Sequence, residues 1–177
     1  MILVTTGFHN VPFDRLVEWV DQIAQTGQFP ESFFIQKGSS AVECEACESV
    51  DFLEMETMEQ YMAECKAVIT HGGTGSVMTA LMSGKKPIVV PRLERYGEVC
   101  NDHQLEIAQV FAEKGWVYPA TNKEEIAEHL SREIGSGRRH EYLRNNERLL
   151  SIVSSYLDEV QSRQAARRGR IGSSVSQ

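Results

Sequence analysis

Residues 67–76 read Ala-Val-Ile-Thr-His-Gly-Gly-Thr-Gly-Ser. Ala67 to Thr70 is a short apolar run of the kind that forms a buried strand, and Gly75 to Ser83 reads as a helix closed by Gly84. Three glycines within four residues lie between that strand and that helix. Glycine lets backbone come close to a ligand. Amides exposed at a helix start face a negative group, and the helix dipole helps to hold it. The dipole alone contributes about 0.3–2 kcal/mol, so several amides must act together. Gly72, Gly73, Thr74, Gly75 and Ser76, two of them with hydroxyl donors, make an environment suited to a pyrophosphate. The plainer reading is a turn that needs glycine only for packing, with His71 fixing the loop through a hydrogen bond. The glycines do not fall as G-x-G-x-x-G, and no Gly-Lys-Ser/Thr follows, which disfavours an NAD or ATP enzyme.

Outward from this stretch, strands and helices alternate. Ile2–Thr5, Phe33–Gln36, Val50–Leu53, Pro87–Pro91 and Trp116–Tyr118 read as strands. Helices are expected over Pro12–Gln25, Thr57–Cys65, Asp102–Lys114, Asn122–Ile134 and from Arg138 to about Gln161. Such alternation predicts an α/β, Rossmann-like parallel sheet with helices on both faces. Ligands of these sheets bind beyond the carboxyl ends of the strands. The informative loops are therefore those after the first, fourth and fifth strands.

After the fifth strand comes Pro91-Arg-Leu-Glu-Arg-Tyr-Gly-Glu-Val-Cys-Asn-Asp-His-Gln104. Arg92 and Arg95 can neutralise phosphate or a donor carboxylate, or can pair with Glu94 and Glu98 at the surface. Tyr96 lies in the same loop. Asn101, Asp102, His103 and Gln104 open a helix, where they face the glycine-rich loop or cap the helix. Thr6 and Gly7 follow the first strand at the same sheet edge, with His9 close by. Asp14 and Arg15 read as a surface pair.

The 177 residues fit one domain, expected over residues 1–161, followed by a basic, disordered tail over 162–177. Net charge is -7, although the tail from Arg163 on carries four arginines and no acid. An acidic body argues against nucleic-acid binding. No apolar run is long enough to span a membrane, and the first residues read as a strand and not a signal peptide, so a cytoplasmic chain is expected. The four cysteines are then thiols; Cys44 and Cys47 form a C-x-x-C without the second pair that a zinc site needs.

On these residues the sequence resembles the C-terminal domain of family 28 glycosyltransferases, which adopt the GT-B fold. The likeness runs from VTTG at 4–7 and PFDRL at 12–16, through ITHGGTGSVMTALMSGKKPIVVPRLERYGEVCNDHQLEIA at 69–108, to about Thr121. It is strongest to the small soluble subunits of split transferases, one kind serving bacterial exopolysaccharide synthesis (PssE-type) and the other adding the second GlcNAc to dolichol-linked GlcNAc. The stretch RYGEVCNDHQLE at 95–106 points to the bacterial kind.

The resemblance implies a UDP-sugar donor bound as substrate and no cofactor. Residues 72–76 would hold the diphosphate, and Gln104, with Asn101, Asp102 and His103, would contact the sugar. Many relatives place a ribose-binding Glu where this chain has Thr79. A GT-B cleft needs two such domains, so the resemblance implies a membrane-anchored, PssD-like partner that presents a lipid-linked saccharide. The chain would then sit peripherally at the inner face of the membrane. Transfer would be inverting and metal-free, since the chain has no D-x-D tripeptide. The acceptor's base would lie on the partner, with His103 or His9 as candidates in this chain. Two other readings are a non-catalytic helper of a partner transferase and a UDP-sugar 2-epimerase, the latter disfavoured by length.

Overall fold

The computed structural model describes residues 1–136. The helix expected from Arg138 and the tail over 162–177 lie outside the described residues. Among the described residues six strands and five α-helices alternate except where β2 leads directly to β3: β1 (Ile2–Thr5), α1 (Asp14–Gln25), β2 (Phe33–Gln36), β3 (Glu48–Val50), α2 (Met55–Glu64), β4 (Ala67–His71), α3 (Thr74–Met82), β5 (Ile88–Val90), α4 (His103–Glu113), β6 (Tyr118–Pro119) and α5 (Lys123–Ser136). A 3-10 turn, Glu94–Tyr96, interrupts the loop between β5 and α4. Every strand pair is parallel, in the order β3-β2-β1-β4-β5-β6. The sheet thus has the expected architecture.

Side chains alternate across each strand and sort the core into two layers. Ile2, Val4, Ala67, Ile69, Ile88 and Val90 meet α1 (Leu16, Val17, Val20) and α5 (Ile126, Leu130) on one face. Leu3 and Val68 meet Met58, Met62 and Ala80 of α2 and α3 on the other. Helices cover both faces, which is why the central strands read as unbroken apolar runs. Among the described residues no helix is long and apolar enough to cross a membrane.

The strand order reverses between β1 and β4. The two strands run in register from Ile2 beside Ala67 to Thr5 beside Thr70. Their carboxyl ends therefore open side by side. This is the switch point at which ligands of open parallel sheets bind.

Candidate functional site

The chain leaves β4 at His71, makes the two-residue turn Gly72-Gly73, and enters α3 with Gly73 as its N-cap. No side chain caps this helix, and its first internal bond runs from the Val77 amide to the Gly73 carbonyl at 3.1 Å. The amides of Thr74, Gly75 and Ser76 precede that bond, so they are left for a ligand or water. Gly72 and Gly73 are glycines because protein fills the space where a Cβ would stand. At Gly72 it would meet Gln104 Cβ at 2.7 Å, and at Gly73 it would meet His71 Nε2 at 2.2 Å. Gly75 differs. It is exposed, and nothing lies within 4 Å of its missing Cβ. Two of the three glycines are explained by packing, and the third faces open space at the helix start.

His71 sits between the turns that follow β1 and β4. A Cβ on Gly7 would lie 2.3 Å from its Cε1, so both Gly7 and Gly73 must lack a side chain for the ring to fit. Gly7 also has φ +80°, open to glycine at no cost. Burial, with the nearby Arg92 cation, pushes the His71 imidazole down to about 4, while the Thr5 backbone partly offsets the fall. The ring is therefore neutral at pH 7. It can donate one hydrogen bond but is too weak a base to take a proton from an acceptor.

Gln104 joins the loops after β4 and β5. Its Oε1 accepts from the amides of Gly72 and Arg92, each at 3.1 Å. Among the described residues its Nε2 makes no hydrogen bond, which leaves two donors beside the glycine turn. Asn101, one residue before the α4 N-cap, accepts from the His103 amide at 3.3 Å and so tightens the turn into the helix. Asp102 accepts from the Glu94 amide at 2.8 Å and so anchors the 3-10 turn. His103 Nδ1 lies 3.2 Å from Glu106 Oε2 on the same exposed face. Asn101 and Asp102 thus have local structural tasks, whereas Gln104 reaches the crevice.

Three sequence expectations need correction. Arg92 is 1% exposed and presents no face to a phosphate. Its Nη1 donates to the carbonyls of Val11 and Pro12 at 2.9 and 3.0 Å, and its Nη2 to that of Thr6 at 3.1 Å. It latches the loop after β1. Thr6 is also fully buried, its hydroxyl donating to the Gln36 carbonyl at 3.2 Å, so it lies beneath the site and not on it. Arg15 does not pair with Asp14. It forms a two-point ion pair with Glu98, at 2.9 and 2.8 Å, while Asp14 accepts from Ser40. Of the loop's other residues, Tyr96 is half exposed, with the Arg15 and Arg95 guanidiniums each 4.8 Å from its ring centroid.

The sequence reading missed Phe8 and Phe52. They follow β1 and β3 at the same sheet edge, 57% and 51% exposed, with rings stacked at 5.9 Å and 12°. Large exposed aromatics just past strand ends were the available signal. Thr79 spends its hydroxyl on the Gly75 carbonyl at 3.0 Å. Cys44 and Cys47 are free thiols on a loop that Asp21 fastens to α1 through the Glu45 and Ala46 amides. Burial pushes both thiols up, which makes them unreactive. Among the described residues no cluster of three His, Cys, Asp or Glu could hold a metal.

Comparison with known proteins gives three findings. The glycosyltransferase family 28 C-terminal domain matches residues 1–159. The UDP-N-acetylglucosamine transferase subunit ALG13 of Yarrowia lipolytica (strain CLIB 122 / E 150) is 32% identical over 120 residues, which is 62% of this chain and 59% of that protein. The chain thus spans about three-fifths of that curated relative. Among solved structures, the solution structure of ALG13 has a TM-score of 0.59 at 20% identity, covering 85% of this chain and 93% of that one. The calicheamicin glycosyltransferase CalG4 has a TM-score of 0.52 at 18% identity, covering 90% of this chain and 43% of that one. The glycosyltransferase of kitacinnamycin has the same TM-score and identity, covering 77% and 39%.

Proposed function

From the premise that this chain belongs to the glycosyltransferase family 28 C-terminal domain, we propose that it is the donor-binding, catalytic half of a two-chain transferase. It takes a UDP-sugar and delivers the sugar, with inversion, to a lipid-linked saccharide presented by a membrane-anchored partner. The observation that carries this reading is the uncapped start of α3. The Thr74, Gly75 and Ser76 amides lie at the switch point of the sheet, next to a glycine whose missing side chain leaves open space.

The chemistry follows from these groups. The diphosphate lies on the α3 amides and the Ser76 hydroxyl, and His71 supplies a neutral donor. As the sugar departs, charge grows on the diphosphate, and preorganised amides stabilise it without rearranging. No step draws on a metal or a cofactor. Gln104 Nε2 reads a sugar hydroxyl while its Oε1 holds both loops. Phe8 and Phe52 offer a flat apolar platform to the base. The acceptor's proton goes to a base on the partner, since His71 is too acidic in its conjugate form to serve. The sequence at 95–106 supports the exopolysaccharide setting, and the ALG13 likeness supports assembly with a second subunit.

Isothermal titration of the chain with UDP is the first test: binding in the micromolar to millimolar range is expected, and no heat at millimolar UDP sinks the reading. Thr79, where many relatives have Glu, keeps the helper reading alive. Full turnover by the partner alone would favour it.

A further inference from the structure

Beneath the donor crevice lies a buried charge cluster that the proposed chemistry does not use. Arg15, in the first turn of α1, gives Glu98 two bonds and a third to the Pro91 carbonyl at 2.9 Å. Glu98, 5% exposed, also accepts from the Leu93 amide at 2.9 Å. Arg92 packs on Phe13 as well. The Arg92 guanidinium is 4.6 Å from the centroid of that ring, and the Arg15 guanidinium 5.2 Å. Two guanidiniums therefore pack on one ring, and one carboxylate, Glu98, pairs with Arg15. Arg15 opposes the charge on Arg92, and Glu98 supports it.

The cluster is connected to the donor loop by short steps. Glu98 holds the amide of Leu93, and the residue before it, Arg92, gives its own amide to Gln104 Oε1. The same oxygen holds the Gly72 amide, one residue before the N-cap of α3. Arg92 meanwhile fixes the carbonyls of Thr6, Val11 and Pro12, and so the loop bearing Gly7 and Phe8.

We propose that Glu98 is a positioning residue of the donor site: as the counter-ion of Arg15 and the acceptor of the Leu93 amide it locks the loop after β5, and through Gln104 it sets where α3 begins. The inference rests on the donor reading above and adds a residue that never touches the ligand. Loss of the carboxylate leaves the largely buried Arg15 without its counter-ion, and the loop must move to let water reach it. A small displacement of groups that hold a reacting ligand has a large effect on it.

The test uses the full chain, labelled with nitrogen-15, as wild type and Glu98→Gln, with UDP as the probe. Below both melting temperatures, Glu98→Gln is expected to bind UDP about tenfold more weakly. Its Gly72 and Arg92 amides should shift and exchange faster with solvent. A lower melting temperature with UDP binding within about twofold of wild type, and an unchanged Gly72 amide, overturns the proposal and leaves Glu98 a purely structural ion pair. If Glu98→Gln does not fold, the double variant Arg15→Met/Glu98→Leu replaces the pair with apolar packing. It should fold yet show the same weakened binding, and wild-type affinity in it overturns the proposal. A wild type that binds no UDP defeats the donor reading. The link from Glu98 to Gly72 is then decided by amide exchange alone.

Discussion

Two glycines two positions apart in the proposed donor crevice, Gly73 and Gly75, should respond in opposite ways to the same added methyl. At Gly73 a Cβ would stand 2.2 Å from His71 Nε2, and the ring is held on its other side by Gly7. Gly72→Ala is similarly blocked by the Gln104 backbone at 2.9 Å. Gly73→Ala should therefore cost about 1–3 kcal/mol of stability, the usual range for overpacking. Gly75→Ala meets nothing within 4 Å, and within α3 it should leave stability unchanged or raise it by up to about 1 kcal/mol. Its methyl nevertheless enters the space assigned to the diphosphate. Urea unfolding and UDP titration of both variants check this pair, and a Gly75→Ala protein that binds UDP as tightly as wild type removes Gly75 from the site. His71 adds a pH signature. Its folded value of about 4 lies below the ordinary 6.5, so between those values the unfolded chain binds a proton that the folded chain refuses. Stability thus falls as pH drops from 6.5 toward 4 and levels off below, by ~3 kcal/mol at most for this group. His71→Asn should flatten that part of the profile relative to wild type, and parallel profiles from pH 7 to 4.5 would refute the assignment.

At the scale of the elements, the start of α3 and the start of α4 meet through one side chain. Gln104 Oε1 clamps two backbone amides, and its Nε2 is assigned to the sugar. Gln104→Glu keeps an oxygen for the clamp and loses the donor, whereas Gln104→Ala loses both. With the partner present, Gln104→Glu should retain UDP affinity within a few-fold and lose turnover by about 10²-fold, while Gln104→Ala should lose both. Equal behaviour of the two variants would mean that the clamp is the whole role of this residue. What the sequence showed of these elements follows from local physics. The β4–α3 junction was plain because an apolar run, glycines and a helical pattern abut within twenty residues. β3 lies two residues earlier than expected, at Glu48–Val50, because an edge strand with half-exposed residues has no apolar run to mark it. The 3-10 turn at Glu94–Tyr96 was missed since its hold comes from Asp102, eight residues on. Arg92 and Thr6 were misplaced for a related reason. Burial of a polar side chain depends on carbonyls far along the chain, at separations of 30 to 86 residues here, which no local pattern encodes.

At the scale of the whole molecule, the described residues form one sheet with one switch point, and the proposed reaction divides its labour between this sheet and a second chain. Donor binding and sugar transfer should therefore separate physically. In the proposed reading UDP binding draws only on groups present here: the α3 amides, Gln104 and the Phe8–Phe52 platform. Saturation at about a hundred times Kd stabilises the folded chain by ~2.7 kcal/mol. For a domain of this size that is a rise in Tm of roughly 5–10 °C, from about 2–4 °C per kcal/mol. Transfer needs an acceptor and, in the proposed reading, a base on the second chain, since His71 is held neutral and acidic by its burial. The isolated chain should then show the UDP-dependent rise in Tm and no transfer to a lipid-linked saccharide in detergent micelles, with transfer appearing only on addition of a membrane-anchored second chain. Transfer by the isolated chain at a rate unchanged by that addition would contradict the division of labour argued here, because it would require the whole reaction to proceed in an open half-cleft that admits water beside the departing sugar.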